Sequence, residues 1–387
     1  MKWNPLVAGA ALVLSTFAAH AQDALKIAVI APFSGPFADY GRQLEGGMRA
    51  WLQQHGDVIA GRKVMLISKD TTGPAPEVAK RLAQEAVVRD KVDFLAGFGL
   101  TPEALAVAPV ATQAKKPMIV MNAASSIVTA KSPYIARVSM TLPQVSAPMG
   151  TWAAKNGIRR VFTLVADYAP GHDSEAAFKT TFTAGGGQVI EAVRTPLKNP
   201  EFSPFVQRIK DAKPDAVFVF LPAGEQGIAF MKSFQERGLA KAGIRVIATG
   251  DLTDDHVLPA MGDAAVGMIT TFHYSAAHDS PENRAFLDAY RKATGDQGQP
   301  NFMAVGGWDG MAAIAEVVKR LGGQVDGDRA MTVLKGLKLA SPRGAITIDP
   351  ETRDVVQTVY VRRVEKVGGQ YRNVEFDRFP DQRDPGR

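Results

Sequence analysis

Four stretches concentrate residue types suited to holding a small molecule: APFSGPFADYG (31–41), GFGLTPEA (97–104), MNAASS (121–126) and ATGDLTDDH (248–256). MNAASS follows an apolar run, PMIVM (117–121), and sets an amide, two alanines and two hydroxyls in a row. Hydroxyls and unobstructed backbone N–H groups suit an anion, because a charged acceptor makes each hydrogen bond roughly twice as strong as a neutral one. In GFGLTPEA, Thr101 before Pro102 reads as a helix N-cap pair. A helix N-terminus presents unpaired N–H groups and partial positive charge, which again fits a carboxylate. Gly97 and Gly99 begin a dinucleotide-like pattern, but Pro102 occupies the third glycine position, which argues against a dinucleotide site. In APFSGPFADYG, Ser34, Gly35 and Pro36 predict a tight turn, while Phe33, Phe37 and Tyr40 supply more aromatic surface than a turn needs.

ATGDLTDDH gathers Asp251, Asp254, Asp255 and His256. One histidine among carboxylates that also serve turns and helix caps is a weak metal pattern, and none is expected to bind there. Tyr168 lies in VADYAPGHDSEAAF (165–178), which leaves a strand and enters a helix expected to be capped near Asp173. Tyr168 either closes over a ligand or packs on its own loop. His172 and Asp173 are adjacent at a helix start and do not face one another, so no catalytic pair is expected. His273 and Tyr274 either line a cleft or pack a hinge. The chain has no Gly-x-Ser-x-Gly elbow, no His-Glu-x-x-His and no P-loop. It has no cysteine, which removes thiol catalysis, iron–sulfur clusters and cysteine zinc sites. A secreted α/β enzyme remains the alternative of another class, without a carboxylate pair singled out for it.

Apolar runs and amphipathic stretches alternate to position these loops. Buried strands are expected at 25–31, 63–70, 92–98 and 117–121, with helices at 41–55, 76–90 and about 102–114. The alternation restarts with strands at 159–167, 215–221, 244–249 and 266–272, separated by helices at 172–184, 202–212 and 224–238. This pattern predicts parallel sheets covered on both faces, and its length predicts two α/β lobes. Helices at 280–295 and 301–323, the latter with three internal glycines, have no strong strand between them and are expected to pack back on the first sheet. Two strand runs around an Asp-Pro turn follow.

Net charge is +6, and the Lys and Arg residues are interspersed rather than clustered, so no nucleic-acid partner is expected. At the N-terminus, Lys2 precedes a run of about fourteen mostly apolar residues, shorter than the roughly 20 that a membrane span needs. Ala19-His20-Ala21 fits a signal-peptide cleavage site, so residues 1–21 are expected to be removed.

IAVIAPFSGPFADYGRQLEGGMRA, FLAGFGLTPEA, MIVMNAASS, VADYAPGHDSEAAFK and GDAAVGMIT occur in the order seen in type I periplasmic solute-binding proteins. The chain resembles the leucine/isoleucine/valine-binding branch of that family over its whole mature length. The resemblance implies two Rossmann-like lobes joined by a three-crossing hinge, with lobe 1 at 24–141 and 273–348 and lobe 2 at 142–272 and 349–387. It implies a monomeric periplasmic receptor that traps a small carboxylate, a hydrophobic or branched-chain amino acid first, and delivers it to the membrane subunits of an ABC importer. No cofactor and no catalysis are implied. Carried over residue by residue, it puts Tyr40 over the ligand side chain, with Thr101 and Ser125 at its carboxylate and Ala123 and Ala124 offering backbone groups. Tyr168 closes over the ligand, and Asp251 stands where an acid meets the ammonium. Pro222 and Ala223 stand in LPAGEQG (221–227), where amino-acid binders of that family place an aromatic. That departure, with Phe33, Tyr40 and Tyr168, keeps open an aromatic or keto carboxylate lacking an amine.

Overall fold

The computed structural model describes residues 23–386, and the expected leader at 1–21 lies outside them. The apolar runs form two sheets. The first holds β1 (Leu25–Ala31), β2 (Val58–Ile59), β3 (Arg62–Asp70), β4 (Phe94–Gly97), β5 (Met118–Val120) and β6 (Ile135–Arg137). Their order is β2-β3-β1-β4-β5-β6, parallel throughout except for the β2–β3 hairpin. Helices α1 (Ala38–His55), α2 (Pro76–Val88) and α3 (Thr101–Ala114) make the crossovers. Such connections require both faces of a parallel sheet to be covered, which is why β1 and β4 read as nearly unbroken apolar runs.

Helix α4 (Leu142–Lys155) leads into the second sheet. Its parallel part is β7 (Arg160–Ala166), β8 (Gln188–Thr195), β9 (Ala216–Phe220), β10 (Arg245–Thr249) and β11 (Ile269–Phe272), linked by α5 (Ala169–Ala184), α6 (Ser203–Ala212), α7 (Glu225–Glu236) and α8 (Leu258–Met261). After α9 (Pro281–Thr294), α10 (Phe302–Arg320) and α11 (Gly327–Leu334), the chain adds β12 (Lys338–Leu339), β13 (Ile346–Ile348), β14 (Val355–Val367) and β15 (Gln370–Gln382). These extend the second sheet with antiparallel pairs, β14 lying between β11 and β15 for part of its length. The chain is thus an α/β protein of two lobes, each built on a mixed sheet.

Helices α9 and α10 pack on α1. The glycines of α10 are explained by contacts closer than any side chain permits. A Cβ at Gly307 would strike the Leu44 backbone, one at Gly47 the Ala304 backbone, and one at Gly306 the Met121 carbonyl. Each such glycine weakens a helix by about 1 kcal/mol relative to alanine. The gain is a helix seated directly on the end of β5, immediately before the MNAASS loop.

Two local expectations change. Helix α3 starts at Thr101 itself, with Leu100 extended at the N-cap, so Thr101 does not cap the helix. The Glu103 carboxyl in the first turn accepts the Thr71 hydroxyl, and the Thr101 hydroxyl accepts the Ser125 N–H of the facing loop. Helix α5 starts at Ala169, earlier than the apolar spacing suggests, so Asp173 lies inside it rather than at its cap.

Candidate functional site

The site forms where β1, β4 and β5 of the first sheet and β7, β9 and β10 of the second end their parallel runs. Ligands of open α/β sheets bind at such carboxyl ends. A small, nearly closed cavity of about 20 Å³ lies there between the lobes. Tyr40, Thr101, Ala123, Ala124, Tyr168, Pro222 and Asp251 all line it, together with Gly99, Leu100, Asn122, Met140, Leu142, Pro170 and Phe220. That is far below the roughly 300–1,000 Å³ usual for ligand pockets, so the lobes stand closed on one another and must part to admit a ligand.

The first-lobe wall is a set of turns fixed by their own hydrogen bonds. Gly97 and Phe98 both have positive φ, at 99° and 65°. A phenylalanine held there costs about 1–3 kcal/mol and needs its surroundings to hold it. The Phe98 N–H donates to the Ile30 carbonyl at 2.7 Å, and the Phe98 carbonyl accepts the Ala123 N–H at 2.9 Å. The reversal aims the start of α3 into the cavity. The Asn122 side chain donates to the Gly99 carbonyl at 2.7 Å, and the Ser125 N–H donates to the Thr101 hydroxyl at 3.3 Å. Below the loop, fully buried Arg137 donates to the Ser125 carbonyl at 2.7 Å. The Thr101 N–H belongs to the first turn of α3, where no intrahelical acceptor exists. The Ala124 N–H meets no backbone carbonyl among the described loops. Both groups are on residues that line the cavity, so the first-lobe wall offers an anion two N–H donors.

Ser125 is placed differently from its neighbours. It is 1% exposed and does not line the cavity; its hydroxyl donates to Asp173 of α5 at 2.6 Å. The same Asp173 oxygen accepts the Ser126 N–H at 3.2 Å. The hydroxyl expected at a ligand carboxylate therefore ties the two lobes together. Asp173 is a residue that sequence reasoning missed, since position beside His172 drew attention to catalysis rather than to the facing loop.

The second-lobe wall is aromatic, with one acid. Tyr168 stacks on Phe220, ring centres 6.0 Å apart and planes 21° from parallel. Phe220 ends the apolar run of β9, and its position at a strand's carboxyl end was the one signal available for it. Asp251 is 6% exposed and accepts the Thr249 hydroxyl at 2.8 Å. Burial pushes its carboxyl up to about 7, against the opposing pull of Thr249 and of Arg362. Burial first, and Asp251 second, also push the Tyr168 hydroxyl well above its ordinary range. From the first lobe, the Tyr40 hydroxyl reaches across to the Ala223 carbonyl at 3.2 Å. An alanine beside Pro222, in place of a large side chain, leaves room for that approach.

The acids after β10 do not converge. Asp254 bonds to Asn301 at 2.7 Å and Asp255 to Asn373 at 2.9 Å. No group of three or more metal-ligating side chains is placed to share an ion among the described residues. His172 pairs with Asp167 at 2.7 Å, with both side chains largely exposed, and not with Asp173. His273 is fully buried between Phe272 and Phe302, and burial holds its imidazole well below the usual range.

A family model described as periplasmic binding protein matches residues 24–370. The Leu/Ile/Val-binding protein homolog 6 of Brucella melitensis is 45% identical over 387 residues, spanning all of this chain and 99% of its own length. A solute-binding protein of an ABC transporter from Rhodopseudomonas palustris BisB5, solved in complex with 3,4-dihydroxybenzoic acid, is 54% identical with a TM-score of 0.91; the match covers 94% of this chain and 99% of that one. A second solute-binding protein from R. palustris, solved with 4-hydroxybenzoate, is 43% identical with a TM-score of 0.92 and the same coverage.

Proposed function

Because the chain belongs to the periplasmic binding protein family, a family of receptors rather than enzymes, we propose that it captures a one-ring aromatic carboxylate in the periplasm and delivers it to an ABC importer. The observation that carries this reading is the lining of the cavity. The Tyr40, Tyr168 and Phe220 side chains line it opposite the anion-receiving N–H groups at Thr101 and Ala124. An aromatic ring gains from stacked or edge-on neighbours at 4.5–7 Å beyond the area it buries. The carboxylate sits at the start of α3, where the helix dipole favours negative charge. Relatives of 54% and 43% identity that hold hydroxybenzoates support the same reading.

Asp251 then faces a ligand that brings no ammonium. With its carboxyl pushed up to about 7, it exchanges hydrogen bonds with a ring hydroxyl in either protonation state. The two lobes are taken as 24–141 with 273–348 and 142–272 with 349–387, with β12 and β13 at the end of the first assignment pairing onto β14 of the second sheet, and a ligand shifts an open–closed population toward the closed form.

Branched-chain amino acids are the second reading, favoured by the name of the Brucella relative and by a carboxyl group at Asp251. Calorimetric titration of the purified mature protein separates the two. Binding of 4-hydroxybenzoate or 3,4-dihydroxybenzoate, with no heat from leucine, isoleucine or valine, is expected. Tight leucine binding with inert benzoates overturns the aromatic reading.

A further inference from the structure

Outside the ligand cavity lies a larger, half-open chamber of about 400 Å³, also bounded by both lobes. Phe37 and Pro74 of the first lobe face Leu197, Phe202 and Ala229 of the second across it, with Lys198, Asn199, Glu225 and Gln226 completing its lining. It does not join the small cavity. Tyr40 stands at the boundary between the two. Tyr40 lines the inner cavity, and Phe37, four-fifths of a helical turn earlier, lines the chamber, with the two rings edge-on at 5.3 Å. On the facing lobe, Pro222 lines the inner cavity and Ala223 the chamber. The hydrogen bond from the Tyr40 hydroxyl to the Ala223 carbonyl spans the boundary. Gly99 backs the ring: a Cβ there would stand 3.2 Å from Tyr40 Cδ2.

We infer that Tyr40 sets the length of ligand the receptor accepts, and that the chamber beyond it is a second, apolar subsite for the distal group of a longer carboxylate. The inference rests on the receptor reading, but not on which carboxylate is bound. While the ring bridges to Ala223, a ligand must end within the inner cavity. Remove the ring, and the two spaces become continuous through an opening whose far side is already lined by Phe37, Phe202 and Leu197. A second ring entering there leaves water for an apolar surface, which is favourable in proportion to the area buried.

The test uses two variants of the purified mature protein, Tyr40→Ala and Ala229→Trp, and their double variant. Ala229 is exposed and lies across the chamber from Tyr40, so tryptophan there fills the chamber without touching the inner cavity. Affinities are measured for 4-hydroxybenzoate and for biphenyl-4-carboxylate, and for leucine and 4-phenylphenylalanine. Whichever one-ring or short ligand binds the wild type decides between benzoates and amino acids, and the length inference is judged within that pair. In Tyr40→Ala the longer ligand should bind at least tenfold tighter than in the wild type. Ala229→Trp should leave the short ligand unchanged and, in the double variant, remove the gain. The inference is overturned if the wild type accepts the longer ligand as tightly as the short one. It is equally overturned if folded Tyr40→Ala shows no gain, or if the gain survives Ala229→Trp. Should Tyr40→Ala not fold, Tyr40→Leu, which retains bulk against Phe37 but cannot reach Ala223, is held to the same criteria.

Discussion

The two walls of the cleft are built on different principles. The first-lobe wall is backbone: Phe98, Gly99, Asn122 and Ala123 are locked to one another by hydrogen bonds, and Arg137 holds the loop from below. The second-lobe wall is side chain: Tyr168 on Phe220, with buried Asp251 beside them. A backbone wall recognises what every candidate ligand shares, a carboxylate. A side-chain wall recognises what distinguishes them, and single substitutions can change it. The contrast teaches that the anion is held from one side of the cleft, while Tyr168 and Asp251 on the other side, with Tyr40 reaching across to it, choose among anions.

The harshest way to break this contrast is to undermine the rigid wall. Arg137→Ala removes a fully buried guanidinium that lies 3.5 Å from Asp354 and holds the Ser125 carbonyl. Loss of about 3–5 kcal/mol is expected for one partner of a buried pair, read by denaturant unfolding. Binding of every ligand class should weaken together; selective loss of one class would contradict the division of labour.

Asp251→Asn probes the other wall and should separate ligands rather than reduce them all. An asparagine still hydrogen-bonds a phenol, so hydroxybenzoate affinity should fall by less than about tenfold, or 1.4 kcal/mol. An ammonium would lose its only facing charge on this wall, and leucine binding, if present, should fall by about a hundredfold or more. Isothermal titration reads both. Equal losses for the two classes would mean that Asp251 supports the fold and not the choice.

The pH dependence of stability offers a further contrast. Burial raises Glu103, under the first wall, to about 8 and Asp251, in the second, to about 7. In the unfolded chain such groups titrate near 4. Both are therefore protonated in the folded state over a range where the unfolded chain has released the proton. Their contribution is complete below about pH 4 and declines as pH rises, through about 7 for Asp251 and about 8 for Glu103. Glu103→Gln should flatten the fall in melting temperature between about pH 5 and 8, more so at the upper end than Asp251→Asn does. An unchanged profile in Glu103→Gln would show that this carboxyl is ionised in the folded protein.

A further effect is expected at the seam between the walls. Ser125→Ala deletes the hydroxyl that meets Asp173, a bond to a charged group between lobes. Affinity should drop by about 1.5–3 kcal/mol at most, chiefly as faster ligand release, with melting temperature nearly unchanged. Stopped-flow dissociation is the measurement. Slower association with unaltered release would place the hydroxyl on the ligand rather than on closure.

Much of this was legible in the sequence for reasons that differ between the walls. The parallel strands announce themselves because burial on both faces demands apolar runs such as LKIAVIA and DAVFVFL. Such runs mark the loops, the resemblance to type I solute-binding proteins names Tyr40, Thr101, Ala123, Ala124, Pro222 and Asp251 within them, and Tyr168 reads as a loop aromatic; the structure gathers all seven around one cavity. β15 was not legible: it pairs with β14 but alternates half-exposed polar residues, as in QYRNVEFDRF, and carries no apolar run. The Ser125–Asp173 bond was not legible either, since it joins loops 48 residues apart whose facing depends on how the lobes meet. Nor was the shift of the α3 start, where the Thr101 hydroxyl accepts the Ser125 N–H of the facing loop rather than capping its own helix.

The glycine seam between α1 and α10 has a consequence for how such a receptor can diversify. Gly306 lets α10 rest against the Met121 carbonyl, and Gly310 leaves space for the Met121 side chain. Any heavier residue at either position would displace the end of β5, and with it the anion-receiving loop. Substitution at these glycines is therefore filtered by folding before it reaches recognition. New preferences arise instead at side chains that line the cavity, such as Tyr40, Pro222 and Asp251, where a change alters what is captured and leaves intact the frame that captures it.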